Sequence, residues 1–278
     1  MKVIIPTDFS LKASYALGMA SAMARHTEMK ITLFHSIEDI EAMTRKNIDG
    51  DKVNVLYHSL YERASSKINE LKREYSSKNI ECEVIITQGK FINSLQSHLE
   101  YNNYDLLIMG YHGNSNNERA FMGSNTQKAL RRLDIDILIM NAPFDDFQFE
   151  EAAFVSGLEV NDHDLFLNFL KFLNLLNIKE VHVISIDTAS YFTEPTMVMS
   201  QALDDFKKLA ADHKVFTHFY KGYSIESGTR LFQEEFNIDI IGIANIKRHP
   251  IKRFLFGSTV EIIANRTQVP LLSLNSIK

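Results

Sequence analysis

The chain of 278 residues holds a single cysteine, Cys82. That excludes an intramolecular disulfide framework and any cysteine-based zinc cluster. Cys82 sits in a strand-like run and reads as a packed or edge-strand thiol. Long apolar runs are lacking as well, and none approaches the length of a membrane span. No basic stretch followed by an apolar core opens the chain, so no signal peptide is expected and a soluble cytoplasmic protein is the default. Excess charge is also small. A formal net charge of −5 gives no general attraction to nucleic acid or to an anionic membrane, and neither is expected as a partner.

Several catalytic signatures are missing. No G-x4-G-K-[ST] is present, so no P-loop lysine reaches a β- or γ-phosphate. No G-x-G-x-x-G opens a helix after the first strand, which leaves a dinucleotide oxidoreductase unsupported. The histidines are scattered without H-x3-H or H-E-x-x-H spacing, so no metal site is expected. His112 has no neighbouring nucleophile or acid pair that would make it catalytic. Lys247, Arg248, His249, Lys252 and Arg253 form a basic cluster that reads as a solvated loop.

What is present is alternation. Strand-like runs occur at 3–6, 31–35, 83–86, 106–109 and 137–140. Helical patterns start at Ser10, a candidate cap, and recur at 53–76, 92–99 and 126–133. The second half repeats the order, with strands at 153–156, 181–186, 215–219, 240–244 and 271–274. Its helices fall at 162–176, 196–212, 224–235 and 258–265. Such alternation predicts α/β architecture with a parallel sheet, right-handed crossovers and helices on both faces. The length suits two tandem copies of one fold, residues 1–144 and 151–278, joined by a short acidic connection.

Two segments carry chemistry. Gly110-Tyr111-His112-Gly113 follows a strand, and after nine residues comes Gly123-Ser124 at a helix start. Glycines let backbone N–H groups approach an anion, and a helix N-terminus adds unpaired donors. The second segment is Pro6-Thr7-Asp8-Phe9-Ser10 at the end of the first strand. In a parallel sheet a ligand binds beyond the carboxyl ends of the strands, where both segments lie. Ser124 has an alternative role as a plain helix cap, and Asp8 could likewise cap the helix near Ser10.

Together these segments resemble the universal stress protein family, whose nucleotide-binding members carry G-x-x-G-x9-G-[ST] and an aspartate ending the first strand. The resemblance implies two copies of an adenine nucleotide alpha hydrolase-like fold. It implies binding of ATP or AMP, with Mg2+ as an accompanying ion, and a regulatory role in the stress response. Hydrolysis, if any, would be weak. The site residues it implies are Pro6, Thr7, Asp8, Ser36, Met109, Gly110, Gly113, Gly123, Ser124 and Asn125, with Ser36 contributing main-chain groups. It also implies pairing through the last strands, 137–140 and 271–274, as an intramolecular pseudo-dimer that could assemble further. A scaffold without nucleotide and a slow ATPase are the rival readings.

Aligning the copies sets Asp239 on Asp105 without a gap. Ala244 then falls on Gly110, Lys247 on Gly113, and Gly257-Ser258 on Gly123-Ser124. At the front, Leu158 is placed opposite Asp8. The second copy is therefore expected to be unable to bind nucleotide.

Overall fold

The computed structural model describes residues 1–38, 50–111, 124–143, 149–159, 161–188, 197–210, 212–244, 259–267 and 269–275. The chain divides into two compact units, Met1–Gly110 and Tyr111–Lys278. Among the described residues no helix is long and apolar enough to cross a membrane.

The first unit contains strands β1 (Lys2–Pro6), β2 (Lys30–Ile37), β3 (Glu81–Gln88) and β4 (Leu106–Gly110), in the order β3-β2-β1-β4. Its strand pairings are parallel. Val3, Ile4 and Ile5 are fully buried, as a central parallel strand with both faces covered requires. Helix α1 (Leu11–Met23) follows β1 and starts where the Ser10 hydroxyl accepts from the Ala13 N–H. It buries Ala13, Ala16, Met19, Ala20 and Met23. Helix α2 (Gly50–Ser77) buries Ala64, Ile68 and Tyr75 on one stripe, and the Tyr75 hydroxyl donates to the Leu17 carbonyl of α1 at 2.7 Å. Helix α3 (Phe91–Tyr101) leads into β4. Cys82 is buried in β3, and burial pushes its thiol up to about 11.

The second unit opens with α4 (Ser124–Arg132) and β5 (Ile137–Met140). It continues through β6 (Glu151–Val155), α5 (Asp162–Leu175), β7 (Glu180–Asp187), α6 (Met197–Leu209), β8 (Lys214–Lys221), α7 (Ile225–Glu235), β9 (Ile240–Ala244), α8 (Thr259–Arg266) and β10 (Leu271–Leu274). The strand order is β5-β10-β9-β6-β7-β8. Phe154, Phe166, Phe169 and Phe206 form the aromatic centre of its core, with ring separations of 5.2–6.1 Å. Gly242 is glycine because a Cβ there would lie 2.6 Å from the Phe169 ring, a close approach that only a bare backbone permits.

One helix ending is used three times. Asn79, Asn177 and Asn237 take positive φ of 58°, 58° and 50° after α2, α5 and α7. Each is followed by a buried isoleucine, Ile80, Ile178 or Ile238, whose N–H reaches back to Tyr75, Leu173 or Gln233. This is the six-to-one closure of a left-handed cap, with the isoleucine returning the chain to the core. The Asn-Ile pairs are visible in the sequence, and the periodicity reading passes over them.

The last strands of the two repeats meet inside the second unit. β5 and β10 pair antiparallel, with Leu272 opposite Leu138, Leu271 opposite Ile139 and Ser273 opposite Ile137. Asn141, just after β5, donates through Nδ2 to the carbonyls of Thr267 and Val269. Asn275, just after β10, donates in the same way to the Ile135 carbonyl. Val269 and Ile135 hold equivalent places before their strands, so the two clamps are reciprocal. Arg131 of α4 adds a two-pronged pair to the buried Glu261 of α8, at 2.7 and 2.8 Å. The compact units divide at Gly110, ahead of the repeat boundary expected after residue 144, because α4 and β5 pack with the second half.

Candidate ligand site at the strand ends

In the first unit β1 lies between β2 and β4, which makes the crevice beyond its carboxyl end the topological switch point. Pro6, Thr7 and Asp8 leave β1 there, Met109 and Gly110 end β4, and Ser36 stands near the end of β2. β2 runs on through residues 35–37 past its last β1 partner, Phe34 opposite Pro6. Ser36 is fixed by its hydroxyl, which donates to the Gly89 carbonyl at 2.7 Å. Met109 is buried. Gly113, Gly123 and His112 lie outside the described residues. Ser124 and Asn125 begin α4 in the other compact unit.

The loop after β1 is held by a short series of bonds. The Thr7 N–H continues the ladder to the Phe34 carbonyl at 2.9 Å. The Thr7 hydroxyl accepts from the Phe9 N–H at 3.1 Å, and Phe9 takes φ of 63°. Asp8 is exposed, and its Oδ1 accepts from the Ser10 N–H at 3.0 Å. A carboxylate at a switch point can accept hydrogen bonds from the hydroxyl or amino groups of a ligand. His35 closes the loop's flank. Its Nδ1 donates to the Thr7 carbonyl at 2.7 Å, and its ring packs tilted against Phe9, with the ring centres 4.7 Å apart. The Lys67 ammonium of α2 lies 5.4 Å from the Phe9 ring centre.

Gly110 has a structural reason to be glycine. A Cβ there would fall 1.8 Å from the carbonyl oxygen of Lys12, in the first turn of α1. Close packing of the helix on β4 therefore demands glycine at this position whether or not an anion approaches.

The second half builds the same strand end and finishes it differently. Glu151 is bonded to Asp239 as Lys2 is to Asp105: in both, the aspartate N–H reaches the strand carbonyl and its carboxylate takes the strand N–H. The strand pairings agree, setting Pro6 against Phe34 and Val155 against Ile184. Thr7 thus corresponds to Ser156, and the alignment that put Leu158 opposite Asp8 is off by one residue. Gly157 stands at the Asp8 position, and Leu158 matches Phe9. The backbones confirm the shift, since Leu158 has φ of 60° and its N–H bonds the Ser156 hydroxyl at 2.9 Å. Sequence alignment missed this because the strand and its exit loop share no identical side chain between the two halves. The sequence pairing of Asp239 with Asp105 and of Ala244 with Gly110 holds. Ala244 is accommodated where α5 begins two residues later in register than α1. Lys247 and Gly257-Ser258 lie outside the described residues, as does the basic cluster.

A second polar cluster occupies the opposite end of the second half. Glu151 Oε2 lies 2.9 Å from His182 Nε2, and His182 Nδ1 lies 3.0 Å from His218 Nε2. Phe216, Phe232 and Phe236 pack against the two imidazoles. Burial, and then the neighbouring His182, hold His218 below the usual histidine range. Among the described residues no group of three or more histidine, cysteine or acidic side chains is placed to hold a metal ion.

Comparison with known proteins fits this geometry. The model of the universal stress protein family matches residues 1–141. A universal stress protein of Methanocaldococcus jannaschii, MJ0577, is 26% identical over 152 residues, covering 50% of this chain and 93% of that protein. The crystal structure of a universal stress protein from Archaeoglobus fulgidus superposes with a TM-score of 0.80 at 18% identity, covering 99% of this chain and 98% of that one. A putative universal stress protein from Pseudomonas aeruginosa gives a TM-score of 0.65 at 12% identity, covering 99% of this chain and 92% of that one. At these identities the two structures show the fold, and they show it over both halves.

Proposed function

The chain belongs to the universal stress protein family, and from that premise we propose that its first half, residues 1–144, binds ATP or another adenine nucleotide such as AMP. The protein would act in the cytoplasm as a regulatory module of the stress response, and the second copy, 151–278, would carry no nucleotide. The observation that carries this reading is Asp8, an exposed carboxylate at the switch point of the first unit. It is suited to accept from the ribose or the adenine amino group. Thr7, whose hydroxyl accepts from the Phe9 N–H, would form the adjoining wall with Pro6. For the phosphates, the sequence offers Gly113, Gly123, Ser124 and Asn125, whose backbone N–H groups suit an anion at a helix start.

A nucleotide regulates only if it binds two conformations with different affinity. Among the described residues the strand ends present no paired nucleophile and base, and binding rather than turnover is the activity proposed.

Mass spectrometry of small molecules released from purified, denatured protein tests the reading. Adenine nucleotide at a fixed ratio to protein is the expected result. Protein free of nucleotide, with no change of melting point in millimolar ATP, would make the chain a scaffold of the same fold. Accumulation of ADP on incubation with ATP would make it a slow ATPase.

A further inference from the structure

The strand end of the second half contains a carboxylate that the first half lacks. Asp162 is the first residue of α5 and is fully buried. Its Oδ2 accepts from the Ser156 hydroxyl at 2.7 Å, from the Gly157 N–H at 2.9 Å and from the Glu159 N–H at 3.4 Å. Three donors from the exit loop of β6 thus converge on one oxygen. Its other oxygen, Oδ1, is buried with no partner among the described residues.

Helix capping accounts for only the longest of these three bonds. A capping side chain stands before the helix and accepts from N–H groups two or three residues further on. Ser10 and Ser224 do that in this chain. Asp162 lies inside the helix, and its bond to the Glu159 N–H, three residues back, has the reach of a capping box. Those to the Ser156 hydroxyl and the Gly157 N–H lie beyond it, while the cap residue of α5, Asn161, makes no side-chain cap bond. The unpartnered Oδ1 points the same way, because a carboxylate placed for its own solvation would not leave one oxygen buried and bare. Its position follows from the donors on the other oxygen.

The first half supplies the comparison. Its exit loop follows the same path as far as Phe9, and Thr7 holds its hydroxyl as Ser156 does. Where the second half has Asp162, the first has Ala13, which has no polar side-chain atom to offer.

We infer that the exit loop of β6 is an anion site whose ligand is built into the chain: the Asp162 carboxylate occupies it and shuts the second crevice to free carboxylates and phosphates. The donors that a ligand would need have been filled rather than lost. This holds whether or not the first half binds a nucleotide.

The test is anion rescue of Asp162→Ala, with formate as the probe because it is the smallest carboxylate. Thermal midpoints are measured against sodium formate and against sodium chloride at equal ionic strength. The variant is expected to melt several degrees below the parent protein, and formate should raise its midpoint saturably by mass action. Chloride should not, and the parent should show no difference between the two salts. If Asp162→Ala does not fold alone, the yield of folded protein on refolding in formate against chloride gives the same answer. Asp162→Asn fills the cradle with an amide and should not respond to formate. Equal action of formate and chloride on Asp162→Ala overturns the inference, and so does an equal formate response in Asp162→Asn.

Discussion

The two strand ends share a backbone path and differ in where the carboxylate stands. After β1 it is Asp8, on the loop and exposed, accepting from the Ser10 N–H. After β6 it is Asp162, on the helix and fully buried, accepting from the loop itself. One arrangement presents an acceptor to the outside, and the other satisfies its own donors from within. The two repeats thus differ in the placement of an acidic residue by a few positions, while strands, crossovers and the left-handed loop residue remain.

The largest effect that would sharpen the contrast comes from the β4 and β9 ends. Gly110→Val must displace the Lys12 carbonyl, which lies 1.8 Å from the added Cβ. A backbone atom cannot yield as a side-chain tip does, so a loss of about 3 kcal/mol is expected in urea unfolding. Ala244→Gly at the matching place should cost below about 1 kcal/mol. Equal costs would mean that helix packing is not what separates the two ends.

Next in size is an asymmetry in the β5–β10 seam. The Asn141 and Asn275 clamps are reciprocal, but Asp136 before β5 has Pro270 as its counterpart before β10. Asp136 accepts from the Asn275 N–H, and burial raises its carboxyl to about 6. A raised acid favours the folded state while protonated, so that stability is present below the ordinary aspartate value. It is lost as pH rises through about 6. Asp136→Asn keeps the acceptor and should stabilise the protein by roughly 2 kcal/mol at pH 8, with little gain at pH 4. A variant no more stable than the parent at pH 8 would remove this asymmetry.

A smaller effect is expected for Asp8→Leu. Loss of one charged acceptor should lower ATP affinity by about tenfold or more. Asp8 is exposed, so the melting point without ligand should change little. A large loss of stability with unchanged affinity would make Asp8 a loop residue and no more.

The smallest effect is acid sensitivity in the second half. His218 is held below its ordinary value, so the unfolded chain takes up a proton first as pH falls. Stability should be complete above the ordinary histidine value of about 6.5 and decline below it. Partial exposure limits this to roughly 0.5–1 kcal/mol. His218→Gln should flatten the unfolding free energy between about pH 7 and 5, and an unchanged slope would contradict the assignment.

Much of the architecture was legible in the sequence, because period-two and period-3.6 patterns follow directly from burial. Strands 137–140, 240–244 and 271–274 fall where the patterns place them, and Ser10 caps α1 as its position suggests. What was illegible depends on contacts distant in sequence. The one-residue slip at Leu158 arose because only the strand register, fixed by β7, identifies its partner. The reason for Gly110 lies in α1, and Asp162 reads as an ordinary first-turn acid until its bonds to residues 156–159 are seen. The Asn-Ile caps were there to be read and require only the knowledge that asparagine tolerates a left-handed backbone.

The account turns on one filled and one open crevice, and calorimetric titration of the intact chain with ATP measures that directly. A stoichiometry near one is predicted, with the affinity falling by about tenfold or more in Asp8→Leu under the same conditions. A stoichiometry near two, or binding that survives Asp8→Leu unchanged, would contradict it.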